Sequence, residues 1–251
     1  MPKVDEFRLV LATYLPDLAC LTETWLTSEI DNDWIKADGF TCVRSDRIAK
    51  RGGGTAIYIR DGIPFDYKDV SEQFNRTAEG ILLELHKGKI SVLCVYIPPS
   101  LSADSLAEIR DGIVSIADDY LTRDSSNKIM IVGDFNHFRV DRLTSDLDLV
   151  DIVQEPTREK RILDHVLVSS ELLNVYKPDC ISYNPPIGKA DHKTLIATPL
   201  NQPPSSTEAR YKAVYDFRDS NVMNLLRKAN EMDWEDISSA KDVDDMWKGF
   251  I

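Results

Sequence analysis

Short apolar runs, each ended by glycine, proline or charged residues, constrain the fold of residues 1–200 more than any other feature. Apolar runs with flanking turn residues are typical of strands. They occupy 18–21, 40–44, 55–60, 80–96, 128–132, 162–169 and 194–198, and the 80–96 stretch divides at residues 87–89 into the two strands of a hairpin. Segments of helical periodicity separate several of these runs. We therefore expect an α/β fold with mixed sheets and not an all-parallel one.

Two helices belong to this pattern. Residues 4–14 place their apolar side chains on one helical face, and so does the segment after Ser102, which is a candidate N-cap. Near residue 200 the composition changes to that of a linker, and amphipathic helical patterns follow. We predict one domain over 1–200 and a linker with a helical segment over 201–251.

The charge balance excludes one class of nucleic-acid binding. With 30 Lys and Arg against 42 Asp and Glu, the net charge is −12, so the chain cannot coat a polyanion passively. Phosphate binding would require a local basic patch or a metal ion. Two basic clusters, at 44–60 and 158–161, contain Arg51 and Arg158 as candidate phosphate contacts, although solvated loops would have the same composition.

The cysteine pattern argues against two further classes of protein. The four cysteines are scattered without a CxxC pair, which disfavours a thiolate zinc site and a disulfide framework. Free thiols are typical of a reducing compartment, and the sequence shows no targeting segment, so we expect a nuclear or cytoplasmic protein. Membrane contact is not expected, because no apolar run approaches the roughly 18 residues that a span requires.

Four segments place an acid or an amide at the end of an apolar run, where a sheet presents side chains to a ligand. They are residues 21–25, 132–136, 163–165 and 190–192. Carboxylates, an amide and an imidazole that converge at strand ends suit Mg²⁺ or Mn²⁺ and a phosphate substrate. Taken alone, each segment is a weak signal, because a carboxylate at a strand end is more often a turn cap or a helix N-cap.

The order of these segments resembles that of the endonuclease/exonuclease/phosphatase superfamily, specifically the apurinic-endonuclease-like domain of non-LTR (LINE-type) retrotransposons. The matching stretches are CLTETWL (20–26), RGGGTAIYIR (51–60), VYIPPS (95–100), IVGDFN (131–136), PTR (156–158) with ILDHVLVS (162–169), and ADHKTL (190–195). The resemblance covers residues 1 to about 200. It implies a four-layer α/β/β/α sandwich of two mixed sheets, as in deoxyribonuclease I, and a divalent-metal-dependent endonuclease.

The resemblance also implies a role for each matching position. Glu23 and Asp191 would ligate the metal, Mg²⁺ or Mn²⁺. Asp134 would orient or deprotonate the attacking water, and Asn136 would hold that water or the scissile phosphate. Without the resemblance, Glu23 would be an ordinary acid at a strand end, and Asp134 with Asn136 would form an Asx turn.

Three further side chains complete the implied site. His192 would donate a hydrogen bond to a phosphate oxygen, and Asp164 would orient its imidazole. Tyr96 would hydrogen-bond the phosphate, although a packed aromatic at a strand end is an equal alternative. His137 and His165 neighbour these positions, and we predict structural roles for both.

The sequence departs from the family pattern at two places. In the family, a strand with a metal-proximal Asn precedes the first helix, whereas Met1 here already lies in that helix. We therefore interpret the chain as an N-terminally truncated domain that lacks this strand. Ala190 stands where Ser usually precedes the Asp-His pair. The 201–251 segment looks like the connection to a reverse transcriptase, which would then be a C-terminal partner.

The predicted function is metal-dependent nicking of double-stranded DNA by a monomer, which would leave a 3′-hydroxyl primer. Two alternatives remain open. The same fold would also serve a phosphomonoesterase that acts on inositol phosphates or lipids. The chain would otherwise be a catalytically inactive relic of the endonuclease, which binds DNA or nothing.

Overall fold

Strands outnumber helices in the computed structural model, which describes residues 2–48 and 51–200. The strands are β1 (Leu18–Thr22), β2 (Phe40–Ser45), β3 (Thr55–Arg60), β4 (Phe65–Asp69), β5 (Glu79–Leu85), β6 (Ile90–Tyr96), β7 (Lys128–Asp134), β8 (Leu149–Asp151), β9 (Asp164–Ser169), β10 (Ile181–Asn184) and β11 (Thr194–Ala197). The α-helices are α1 (Pro2–Tyr14), α2 (Asn32–Ile35), α3 (Ala103–Arg123) and α4 (Asp141–Asp146). The predicted linker and helical segment over 201–251 lies outside the described residues.

The strands form two main sheets and a separate pair. The larger sheet has six strands in the order β4-β5-β6-β7-β9-β8, and only β6 and β7 are parallel. The smaller sheet has the order β1-β3-β2 and is antiparallel throughout, and β10 pairs with β11. A parallel pair needs a long crossover, and α3 supplies it between β6 and β7. The larger sheet is therefore the mixed one.

Three apolar clusters hold four layers together. Helix α3 packs its buried face, including Ile109 and Ile113, on one side of the six-stranded sheet. The other side of that sheet faces the three-stranded sheet across a second core. On the far side of the smaller sheet, Phe7 of α1 meets Tyr58 edge-to-face, with ring centroids 4.9 Å apart. The predicted α/β/β/α sandwich is confirmed.

Local signals in the sequence account for most element boundaries. The Ser102 hydroxyl accepts a hydrogen bond from the Ser105 amide at 3.1 Å, which confirms the predicted N-cap of α3. Strand β4, with the sequence FDYKD, is largely exposed, and its polar composition explains why no apolar run marks it. Within the described residues, the helices are too short or too polar to span a bilayer, and all four cysteines are free thiols.

Strands β6 and β7 leave no space for a side chain at Gly133, which pairs with Val95. Gly133 has a φ of +147°, and a Cβ atom there would lie 1.8 Å from the Val95 carbonyl oxygen. Only glycine fits this position, because any side chain would collide with the backbone of the neighbouring strand. The residue that follows, Asp134, is thereby held at the end of β7 beside β6.

Replacing Gly133 with Ala should destabilise the fold by roughly 3 kcal/mol or more, because backbone must move to admit the methyl group. Gly39 is a matched control, since its φ is +80° and nothing lies within 4 Å of the position a Cβ would take. Gly39→Ala should cost only about 1–2 kcal/mol for its backbone conformation. Urea denaturation of both variants measures the difference, and equal losses would contradict the proposed collision.

Candidate active site

A row of polar residues crosses four neighbouring strands of the large sheet. The strand register places Glu79 of β5 opposite Tyr96 of β6, Tyr96 opposite Asp134 of β7, and Asp134 opposite Asp164 of β9. Adjacent strands lie about 4.8 Å apart, so these four residues are close neighbours. The residues two positions inward from this row, towards the middle of each strand, belong to the core between the sheets. They are Ile81, Cys94, Val132 and Val166. The alternation that builds this core therefore also lines up the polar row at its end.

The loop after β1 brings Glu23 to this row. The Tyr96 hydroxyl donates a hydrogen bond to Glu23 Oε1 at 2.5 Å. Glu23 has a left-handed φ of +50°, and the loop is fixed by the Trp25 amide, which donates to the Gly53 carbonyl at 2.9 Å. Burial and the hydrogen bond to Glu23 raise the pKa of the Tyr96 phenol, so it remains a donor at neutral pH.

An ion pair that was not predicted from the sequence fixes Glu79, the first residue of the polar row, next to Tyr96. The guanidinium of Arg47 binds both carboxylate oxygens of Glu79, at 2.7 and 2.8 Å, and lies 5.3 Å from the centre of the Tyr96 ring. Glu79 is only 3% exposed, and a bidentate partner is what makes a buried carboxylate tolerable. Arg47 belongs to the predicted basic cluster, but no local signal distinguishes it from its neighbours.

Asp134 is the most unusual acid of the site. It is 3% exposed, and its Oδ1 accepts a hydrogen bond from the backbone amide of Asn136 at 2.9 Å. Burial, and then the charge of Asp164, raise the pKa of Asp134 to about 7. A carboxyl group with such a pKa is suited to accept a proton near neutral pH. Asn136 is itself fixed by a hydrogen bond from Nδ2 to the Ile97 carbonyl at 2.9 Å.

Asp164 and His192 form a hydrogen-bonded pair, with Oδ2 and Nδ1 2.7 Å apart. This hydrogen bond is the main reason that the pKa of His192 is raised, so the imidazole is more readily protonated than usual. Atoms of Asp134, Asp164 and His192 lie within 4.8 Å of one another, a donor set of two carboxylates and an imidazole that fits a divalent cation. Because the pair engages Nδ1, the other ring nitrogen is left to face a substrate.

The two positions predicted as metal ligands are not brought into one group among the residues that the structure describes. Glu23 joins the polar row through Tyr96, but the Asp191 carboxylate binds Arg158, with Oδ2 and Nη2 2.6 Å apart. Both partners of this ion pair are well exposed. Arg158 therefore neutralises Asp191 beside the site, an interaction between separate loops that the sequence did not indicate.

Arg51 lies at the rim of the site. Its guanidinium is 5.4 Å from the ring centre of Trp25, which is 51% exposed and follows Glu23 by two residues. Trp25 belongs to the matching stretch CLTETWL, from which no role was predicted for it. His165, in contrast, is buried, with Nδ1 2.6 Å from Asp151 Oδ2, as expected of a structural histidine.

Neutralising Asp134 should stabilise the protein, increasingly so as pH rises. The folded state holds the Asp134 proton up to about pH 7, whereas an ordinary aspartate releases it near 3.8. The folded state thus binds more protons within this window, and wild-type stability falls as pH rises through it. Asp134→Asn should match wild type at pH 4 and exceed it by up to about 4 kcal/mol at pH 8.

Urea denaturation in EDTA at several pH values measures this difference. Asp141→Asn is the control, because Arg139 lowers the pKa of the exposed Asp141 and its charge is favourable. This variant should gain no stability at pH 8. A pH-independent effect of Asp134→Asn would contradict the assignment of a raised pKa.

Residues 1–192 match the Endonuclease/Exonuclease/phosphatase family. No protein of curated function matches the sequence significantly. Among solved structures, the AP endonuclease LMAP from Leishmania major is 16% identical, with a TM-score of 0.57 over 78% of this chain and 82% of that one. A 3′ phosphatase, NExo, from Neisseria, bound to a product DNA hairpin, is 17% identical, with a TM-score of 0.58 over 78% and 93%.

A third solved structure is the endonuclease domain of TRAS1, a telomere-specific non-LTR retrotransposon. It is 14% identical, with a TM-score of 0.56, and the match covers 80% of this chain and 94% of that one. At these identities the likeness to solved structures concerns the fold. The family match spans all four segments predicted to carry the chemistry, and it confirms the resemblance inferred from them. The chain belongs to the endonuclease/exonuclease/phosphatase family.

Proposed function

We propose that this chain is a divalent-metal-dependent endonuclease that hydrolyses phosphodiester bonds in double-stranded DNA. The observation that carries the proposal is the group formed by Asp134, Asp164 and His192, whose polar atoms lie within 4.8 Å of one another. It combines a carboxyl group with a pKa near 7 and an imidazole fixed by a carboxylate. Such a group can accept a proton from water and stabilise negative charge on a phosphate.

The residues of the site divide the reaction between them. Asp134 takes a proton from a water molecule, whose oxygen attacks the phosphorus while the bond to the 3′ oxygen breaks. His192, oriented by Asp164, donates a hydrogen bond to the phosphate oxygen on which negative charge develops. Asn136 lies next to the Asp134 carboxylate and holds the water or the phosphate through its free amide atoms.

Glu23 and the neighbouring carboxylates would hold Mg²⁺ or Mn²⁺, and the ion would supply Lewis-acid stabilisation of the charge on the phosphate. The Tyr96 hydroxyl fixes one oxygen of Glu23 and leaves the other free. The Tyr96 hydroxyl proton is thus already donated to Glu23. To contact the phosphate as proposed, the hydroxyl must share this proton between Glu23 and a phosphate oxygen. Asp191 would serve as a further ligand through Oδ1, or through both oxygens once Oδ2 leaves Arg158.

The retrotransposon role is the finer part of the proposal. It is supported by the motifs TETW, GDFN and PTR in the sequence and by the fold shared with the TRAS1 endonuclease domain. We propose that the 3′-hydroxyl product primes a reverse transcriptase joined through the 201–251 segment. A monomer suffices for this activity, since the Asp134, Asp164 and His192 side chains come from one chain. We propose that it acts in the nucleus or the cytoplasm.

Nicking of supercoiled plasmid with Mg²⁺, and its loss in EDTA, tests the proposed activity. Asp134→Asn and His192→Ala should each lower the rate by roughly 10²-fold or more. His86→Ala is the control, because His86 follows the opposite end of β5 from Glu79 and pairs with Asp66. Full activity of the Asp134 and His192 variants would overturn the assignment.

The alternative of a phosphomonoesterase is favoured by the likeness to the 3′ phosphatase from Neisseria. The same enzyme preparation should therefore be assayed on a DNA 3′-phosphate and on inositol phosphates. Release of phosphate without nicking would contradict the endonuclease and establish the phosphatase. A folded protein without turnover on any of these substrates would identify an inactive relic.

Arg51 should contribute to DNA binding through charge. Each phosphate contact by Lys or Arg steepens the salt dependence of binding, so Arg51→Gln should raise the KM for DNA and reduce the logarithmic salt slope by about 1. The kcat should change little, because Arg51 stacks on Trp25 at the rim. Arg123→Gln is the control, since Arg123 binds Glu84 away from the polar row. An unchanged salt slope for Arg51→Gln would contradict the contact.

A further inference from the structure

Thr157, in the PTR segment, makes hydrogen bonds to residues 161–164 and to residue 193. It is fully buried, and its hydroxyl oxygen accepts hydrogen bonds from the amides of Leu163 and Asp164, at 3.1 and 3.2 Å. Its carbonyl accepts from the Lys193 amide at 2.8 Å, and its own amide donates to the Arg161 carbonyl at 2.9 Å. The amide, the carbonyl and the hydroxyl oxygen of this residue therefore each make a hydrogen bond.

These bonds hold both members of the Asp164–His192 pair from outside the pair. The Thr157 hydroxyl fixes the backbone of Asp164, and its carbonyl fixes Lys193, the residue after His192. Its neighbour Arg158 binds Asp191, the residue before His192. The loop that carries His192 is thus anchored on both sides to residues 157 and 158, while the same threonine sets the position of the carboxylate that orients the imidazole.

We propose that Thr157 is the positioning residue that holds Asp164 and His192 at hydrogen-bond distance during phosphodiester hydrolysis. This inference rests on the proposed function of the pair. Strand β9 does not depend on Thr157 for its place, since five residue pairs join it to β7. Loss of the hydroxyl would instead remove the acceptor of the buried Leu163 amide and of the part-buried Asp164 amide, and allow the first residue of β9 to shift. A displaced carboxylate would orient His192 less well. A misplacement of about 1 Å in a catalytic group is enough to lower kcat.

Two substitutions separate the hydroxyl from the shape of the side chain. Thr157→Val keeps the volume but removes the acceptor, and it should lower kcat for plasmid nicking by roughly 10- to 100-fold with little change in KM. Thr157→Ser keeps the acceptor and should retain most of the activity. Equal kcat values for wild type and Thr157→Val would overturn the proposal. Urea denaturation of both variants verifies that the comparison is between folded proteins.

A double-mutant cycle distinguishes positioning from general loss of structure. If Thr157 acts through the pair, Thr157→Val should have no further effect on kcat once Asp164→Ala has removed the oriented carboxylate. A merely structural role would lower kcat by the same factor in both backgrounds, and that result would overturn the proposal.

Proton NMR tests the inference without any activity. The Nδ1 proton shared by His192 and Asp164 should give a downfield signal that His192→Ala abolishes, Thr157→Val weakens or shifts, and Thr157→Ser preserves. The corresponding signal of His165, which is bonded to Asp151, should stay unchanged as an internal control. If nicking is absent but the His192 signal responds as described, the proposed function fails and the positioning role stands. If nicking is present and the signal ignores Thr157→Val, the positioning role fails.

Discussion

The register of β5, β6, β7 and β9 is the constraint on which the site depends. Because side chains alternate between the faces of a sheet, a slip of one residue in any of these strands would turn its polar residue away from the others. The apolar residues two positions along each strand resist such a slip, since they would leave the core between the sheets. At Gly133 the backbones of β6 and β7 meet closely enough to exclude any side chain. Packing and sterics therefore fix the same register that the chemistry requires.

The packing buries acidic side chains of the polar row, and this burial disfavours their ionised form. Burial and the charge of Asp164 both raise the pKa of Asp134, which means that the folded chain tolerates the ionised carboxylate poorly. At the other end of the row, Glu79 is equally buried but has a bidentate partner in Arg47. Glu79 is thus held by a bidentate ion pair, whereas the charge of nearby His192 offsets only part of the effect of burial on Asp134. The Asp134 carboxylate is therefore stabilised when it binds a proton or a cation. A hydrolase of phosphate esters uses this property.

Local signals in the sequence were enough for much of the fold. The apolar runs located the core strands, the 80–96 hairpin and the Ser102 cap. The family motifs pointed to Glu23, Asp134, Asp164 and His192, which lie in or beside the polar row, and their catalytic roles stay predictions. Local signals were not enough where the partner lies far along the chain, as for Arg47 with Glu79, 32 residues away. Strand β8 was missed because three residues carry too little periodicity. The ion pair of Arg158 with Asp191 arises from two exposed loops, and no pattern in either loop indicates the other.

The adjacent residues Asp164 and His165 show how far one periodicity argument reaches. Each makes a short carboxylate–imidazole pair, 2.7 Å to His192 and 2.6 Å to Asp151, so neither distance nor residue type separates the pair proposed to act in catalysis from the buried one. Alternation does separate them. Asp164 points to the same face as Asp134, whereas His165 points to the opposite face, where its ring meets Phe135 edge-to-face at 5.5 Å. Because Asp164 shares the face of Asp134, its pair with His192 lies on the side of the sheet that carries the polar row, and that side follows from counting residues along the apolar run.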